Sequence, residues 1–270
     1  MKQSIFITGA ASGIGKATAK LFASKGWLVG IFDVDDKGLE ALEAEIGKEN
    51  CVRGRLDVTS ESGWRDAVAV FGKKTDGKMN ALFNCAGILR MARFEELPPG
   101  ESLAQVQVNV TSLMALTHLF APAMAERSRG GIINIASLSA FQPQFNSAVY
   151  AASKSFVLLF SEALWLELAP RGVHVLAVCP GPVVTSFFER IGSKPPPQAI
   201  SPQRVVSETL RAFGKKQAVL VPGTLTTRIQ AFAHRVLPRT VVARIAASVS
   251  TKIMTNENKR KEPSNVTSKP

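Results

Sequence analysis

A short apolar run, residues 3–8, breaks directly into Thr8-Gly9-Ala10-Ala11-Ser12-Gly13-Ile14-Gly15, and a helix-forming stretch follows. Three glycines in this spacing between a strand and a helix leave few options. Gly9 permits a tight turn, Gly13 lets backbone approach a ligand, and Gly15 lets helix and strand pack closely. The helix N-terminus then turns free N–H groups and a partial positive charge toward the turn. A pyrophosphate suits both properties. An acid at the end of the next strand strengthens the reading, and Asp33 closes Gly30-Ile31-Phe32-Asp33. Gly9, Ser12, Gly13, Ile14, Gly15 and Asp33 are therefore candidate dinucleotide contacts. A carboxylate at position 33 accepts from ribose hydroxyls and repels a 2′-phosphate, and neither Ser12 nor Val34 is a cation that could receive one. NAD is favoured over NADP; Lys37 is the residue that would upset this.

The alternation of short apolar runs with helical stretches continues along the chain. Strands are expected at 3–8, 27–33, 51–56, 80–84, 131–137, 174–179 and 218–221, and helices near 14–25, 36–47, 61–73, 102–126 and 147–169. Strands separated by helices imply βαβ units, and right-handed crossovers wind them into a Rossmann-type parallel sheet, α/β in class, with helices on both faces. Runs such as Ile132-Ile133-Asn134-Ile135 lack polar alternation, as expected of strands covered on both sides. Ligands in such sheets lie past the carboxyl ends of the strands.

With 270 residues, of which 46% are hydrophobic, the chain suits one large domain. Residues 1–222 are expected to form it, with 186–216 as an insertion lidding the substrate, 223–255 as a helical extension and 256–270 as a disordered tail. Cys51, Cys85 and Cys179 form no CxxC pair, and His118, His174 and His234 are scattered. Neither a disulfide framework nor a metal site is expected, and the compartment is read as reducing and cytoplasmic. No stretch is expected to reach the ~20 apolar residues of a membrane span.

Of the net charge of +12, residues 201–270 carry thirteen basic against three acidic side chains, so the basicity belongs to the tail. There Leu225, Ile229, Phe232 and Val236 fall on one helical face beside Arg228 and Arg235, and Val241, Ile245, Val249 and Ile253 recur every four residues. Two readings stay open: helices lying on an anionic membrane surface, or helices docked on the body or pocket entrance. No nucleic-acid reading module accompanies the charge, so no nucleic-acid partner is expected.

Tyr150 and Lys154 stand four residues apart on an expected helix, and such residues share a face. An ammonium beside a phenol favours the phenolate, so Tyr150 could exchange a proton with an alcohol or alkoxide. Tyr150 is the only tyrosine in the chain. Ser137 ends the strand before this helix and could hydrogen-bond a substrate oxygen, with Ser139 as a nearby alternative. Asn109, a mediocre helix former, sits among apolar neighbours in 102–126, where burial with a functional partner is expected.

With the glycine turn, Asn109, Ser137, Tyr150 and Lys154 in this order, residues 1–222 resemble the short-chain dehydrogenase/reductase family. The resemblance implies a catalytic tetrad of Asn109, Ser137, Tyr150 and Lys154, in which Lys154 also holds the nicotinamide ribose and Asn109 supports a proton-relaying water. It implies an adenine contact at Asp57 and Val58 and a turn beneath the cofactor at Asn84-Cys85-Ala86-Gly87, where Cys85 replaces the family's asparagine. It implies that Pro180, Gly181, Val183 and Thr185 fix the carboxamide end of the nicotinamide. Dimers or tetramers through the helices at 102–126 and 147–169 also follow from it.

Apolar residues around the expected pocket, among them Phe145 and Phe187, suggest a hydrophobic alcohol or ketone as the small-molecule substrate, and Ser139 is expected to line the same pocket. The expected function is an NAD-dependent oxidoreductase. The alternatives are an NADP-dependent carbonyl reductase and an NAD-binding regulator without turnover.

Overall fold

The computed structural model describes residues 2–233, together with 238, 240–244 and 247. Seven strands form one parallel sheet in the order β3-β2-β1-β4-β5-β6-β7. They are β1 (Ser4–Thr8), β2 (Leu28–Asp33), β3 (Cys51–Arg55), β4 (Ala81–Asn84), β5 (Gly130–Ile135), β6 (Val173–Val178) and β7 (Val219–Leu220). Successive side chains point to opposite faces, and the core divides accordingly. Ile5, Ile7, Val29, Ile31 and Phe83 pack on one side with α1 (Gly13–Ser24), α2 (Asp36–Ile46) and α8 (Pro202–Gly214). Phe6, Phe32, Leu82 and Ile132 pack on the other with α3 (Glu61–Thr75) and α5 (Ser112–Glu126). The long α6 (Ala148–Leu168) covers β5 and β6 beside α5. The second face is aromatic: Phe6 and Phe32 stack with centroids 4.3 Å apart, and Phe71 and Phe120 meet Phe6 edge-on.

Helix starts follow their caps. Asp35 accepts from Gly38 N at the head of α2, Ser60 from Gly63 N at α3, and Ser201 from Arg204 N before Pro202 at α8.

Three expectations need correction. Residues 202–214 are no lid: Val205, Val206, Thr209 and Ala212 of α8 are buried and close the layer between β6 and β7. The stretch around α7 (Ser186–Arg190) instead reaches Ser12 through Arg190 and Tyr150 through Phe187. The expected helix at 102–126 is α4 (Pro99–Val106), one π-helical turn (Gln107–Thr111) and α5. And two helical stretches, Pro99–Glu126 and Ala148–Arg171, are by length and composition apolar enough to cross a membrane; here α5 and α6 within them pack against β5 and β6 of the sheet.

The extension begins with α9 (Leu225–Phe232), which docks on the body. Ala231 is fully buried, and the Phe232 ring lies 5.9 Å from that of Phe141. Arg228 reaches Glu208, at 3.5 Å, while Leu225 and Ile229 stay exposed. Val236, Ile245, Val249 and Ile253 lie outside the described residues.

Candidate active site

The sheet order reverses between β1 and β4, so a crevice opens beyond their carboxyl ends. Thr8 ties its two sides together, its hydroxyl accepting from Cys85 N at 3.0 Å and Ala86 N at 3.1 Å. The glycine turn is built around this link. Gly9 has φ +67°, and a Cβ there would stand 2.9 Å from Ala86 N. A Cβ on Gly15 would meet Gly9 O at 2.0 Å, which is the close helix–strand approach the spacing predicts. Gly13 has φ +53°, and an ideal Cβ there would stand 2.9 Å from the methyl of Thr185. Asp33 accepts from Ala11 N at 3.0 Å and from Asp35 N at 3.1 Å, so its carboxylate faces the turn. The first turn of α1 carries no acid, and the Ser12 hydroxyl makes no capping bond. Backbone crowded to glycine tolerance, a cationic helix end and a carboxylate beside it fit a dinucleotide with its diphosphate on the turn and its ribose at Asp33.

Across the crevice, Tyr150 and Lys154 rise from one face of α6. The Lys154 ammonium lies 5.9 Å from the Tyr150 ring centre and donates to Ile135 O at 2.8 Å. Lys154 is buried, and burial pushes its pKa down to about 8. Burial around the Tyr150 hydroxyl pushes its pKa above the ordinary value, and the hydrogen bond with Ser137 opposes that only in part. Ser137 stands two residues past β5 and accepts from Ser139 N at 3.1 Å, the Ser139 hydroxyl being turned to Gln144.

Asn109 sits in the π turn, 1% exposed. Its Oδ1 accepts from Ile88 N at 2.9 Å, and its Nδ2 donates to Ile88 O at 2.9 Å and Ser153 Oγ at 3.1 Å. Ser153 donates in turn to Tyr150 O at 2.7 Å. Asn109 therefore clamps the chain after Gly87 to the Tyr150 turn of α6. Gly87 completes the convergence, for a Cβ there would stand 3.3 Å from Asn109 Oδ1 and 3.4 Å from Lys154 Nζ.

Other expected contacts divide. The Asn84 amide points into the interior, donating to Asn134 Oδ1 at 2.9 Å and Thr117 Oγ1 at 3.3 Å, so only its backbone remains to face the crevice. Asp57 is exposed, its carboxyl held below the ordinary range by the N–H and hydroxyl of Thr59, and Val58 is buried. Pro180 accepts from Leu138 N at 2.8 Å, tying the 180–185 turn to the Ser137 segment. Gly181 lies beneath Thr227 of α9, Val183 is buried, and Thr185 caps α7 through Phe187 N. Phe187 comes within 6.4 Å of the Tyr150 ring, centre to centre. Phe145 is 44% exposed, so of the two aromatic substrate candidates Phe187 has the recorded contact with the tyrosine. The thiol of Cys85 is pushed up to about 12 by burial, which suits a packing role. Sequence reasoning missed Thr8, Ser153 and Arg190. Thr8 heads the glycine run and Ser153 lies between Tyr150 and Lys154, both readable as polar side chains in apolar settings; Arg190 meets Ser12 across 178 residues, which no local pattern signals.

Residues 3–196 match the family described as short chain dehydrogenase. The chain belongs to that family. It is 35% identical over 199 residues to 2,5-dichloro-2,5-cyclohexadiene-1,4-diol dehydrogenase LinX of Sphingobium indicum, covering 73% of this chain and 78% of that one. Among solved structures it resembles a short-chain dehydrogenase from Sphingobium yanoikuyae in complex with NADPH, with TM-score 0.78 and 29% identity over 86% of this chain and 93% of that one. It also resembles a 3-ketoacyl-(acyl-carrier-protein) reductase from Brucella melitensis complexed with NADH, with TM-score 0.73 and 30% identity, covering 81% and 96%. This short-chain dehydrogenase is thus an NAD(P)-dependent oxidoreductase acting on CH–OH groups.

Proposed function

We propose that the enzyme interconverts a hydrophobic secondary alcohol and its ketone, with aldehydes as the lesser carbonyl class, and that it prefers NAD. The observation that carries this reading is the hydrogen bond pairing Ser137 with Tyr150, backed by the buried Lys154 ammonium. Ser137 holds the substrate oxygen by its hydroxyl. Tyr150, protonated at neutral pH, donates to that oxygen when a carbonyl is reduced and takes the proton back when an alcohol is oxidised. When bound, an oxidised dinucleotide would supply the hydride acceptor and a positive charge that favours the phenolate. Lys154 holds the nicotinamide ribose, and Asn109 positions both partners through Ile88 and Ser153. Asp57, Val58, Gly181, Val183 and Thr185 complete the cofactor's surroundings. The Phe187 ring beside Tyr150 supports an apolar substrate.

Asp33 supports NAD, since its carboxylate would oppose a 2′-phosphate. One observation favours NADP as a second reading: Arg55 pairs in register with Asp33 on the adjacent strand and is exposed. The apolar Leu103, Val106, Phe156, Leu159 and Leu166 left exposed on α4 and α6 support a homodimer or homotetramer through those helices. A cytoplasmic enzyme suits the free thiols. The exposed Leu225 and Ile229 keep a peripheral membrane contact open, although the docking of α9 favours the alternative; liposome binding unchanged on deleting 223–270 would exclude the contact.

The test pairs NAD and NADP with apolar secondary alcohols and follows the reduced-nicotinamide absorbance. Turnover is expected with NAD, and Tyr150→Phe is expected to lower it by ~10³-fold with dinucleotide affinity kept within about a factor of two. Full turnover in that variant removes Tyr150 from the mechanism. Tight dinucleotide binding with no hydride transfer to any alcohol or ketone leaves a regulator instead.

A further inference from the structure

Arg190, at the end of α7, reaches back to the glycine turn. Its Nη2 donates to Ser12 Oγ at 3.0 Å and to Ser186 Oγ at 3.3 Å. Ser12 is the N-cap of α1, yet its hydroxyl makes no bond to the helix it caps. Among the described residues no carboxylate pairs with Arg190, and the first turn of α1 holds no acid. A guanidinium has five donors in a rigid fork, and both hydroxyls engage only Nη2. The root of α7 is seated as well, with Thr185 against Gly13. Two cationic features, an arginine and a helix N-terminus, thus meet over one hydroxyl.

We propose that Arg190 is a cofactor-binding residue whose guanidinium holds the dinucleotide's diphosphate across the Ser12–Gly13 turn. This rests on the dinucleotide reading above. It adds a link that reading lacks. The same five-residue helix carries Phe187, whose ring lies 6.4 Å from that of Tyr150. Anchoring Arg190 on the diphosphate therefore settles Phe187 over the reacting end, and cofactor and apolar substrate bind with positive coupling.

The experiment measures binding, with no turnover required. Wild type, R190Q and R190K are titrated with NADH, NADPH, ADP and adenosine by calorimetry, with circular dichroism as a check that each variant is folded. R190Q is expected to weaken NADH and ADP by about tenfold, the scale of one charge-assisted hydrogen bond, while adenosine is unchanged. R190K, which keeps the charge and loses the fork, falls between. Unchanged NADH and ADP affinity in R190Q overturns the proposal, as does an equal loss for adenosine. Wild type that binds neither NADH nor NADPH overturns the dinucleotide reading itself, and this proposal with it.

Discussion

Lys154 and Ile135 are joined by a 2.8 Å hydrogen bond from the ammonium to the strand carbonyl. The bond moors the buried lysine to the end of β5 and leaves it 5.9 Å from the Tyr150 ring centre. The two residues share a helix face, yet they answer to different partners. Burial lowers the Lys154 pKa against the pull of the Cys85 and Cys179 thiols, whereas burial raises that of Tyr150 against the hydrogen bond with Ser137.

The phenol should therefore titrate above the ordinary tyrosine value of about 10 in the free protein. Tyr150 is the only tyrosine in the chain, so the phenolate absorbance of the folded protein reports it alone. The midpoint is expected to fall on saturation with oxidised NAD, whose charge favours the phenolate. A free-protein midpoint below the ordinary value contradicts the burial account.

The lysine makes a stability prediction. Its pKa in the folded protein, about 8, lies below the ordinary 10.5, so the unfolded chain binds the proton more tightly. Below about 8 both states are charged and the burial cost is felt in full. As pH rises from there toward 10.5 the folded state sheds its proton first, and stability is gained. Compared with Lys154→Met, wild type should gain on the order of 2 kcal/mol between about pH 7 and about pH 9.5 in urea unfolding. A difference between the two that stays flat with pH rules this out.

Asp33 should govern cofactor choice. Asp33→Asn keeps an acceptor for Ala11 N and removes the charge that opposes a 2′-phosphate. The kcat/KM ratio of NAD to NADP is expected to drop by about tenfold or more, the worth of ~1.4 kcal/mol. An unchanged ratio shifts the choice to Arg55 or Lys37.

Two glycines should respond with opposite signs to one methyl group. A Cβ on Gly15 would be driven to 2.0 Å from Gly9 O, whereas Gly72 in α3 has open space around it. Gly15→Ala is expected to lower stability by ~3 kcal/mol through overpacking. Gly72→Ala should raise it by ~0.5–1 kcal/mol through helix propensity. Chemical unfolding of both variants reads the two signs directly.

The strand ends and the glycine turn were legible because each rests on neighbours in sequence. Thr8, Asp33 and Ser137 close or follow apolar runs, and such runs end where the sheet ends. What stayed hidden depends on contacts distant in the chain. The segment 202–214 reads as part of a lid because the prolines before it suggest loop, although Val205, Val206, Thr209 and Ala212 already lie on one helical face. The upward pull on the phenol arises from burial, which a four-residue spacing cannot report. Hydrophobic periodicity carries straight through Asn109 and gives no sign of the wider turn there.

Because the turn Gln107–Thr111 winds one residue more than α geometry, the Asn109 amide is aimed by chain length as well as by residue type. Losing one residue here would restore ordinary winding; the wide turn absorbs the extra residue, so Leu103 and Val106 would keep their face while the Asn109 amide lost its aim at Ile88 and Ser153. A cousin aligned with a one-residue gap at this spot would have a rewired centre, even with its asparagine, serine, tyrosine and lysine all spelled out.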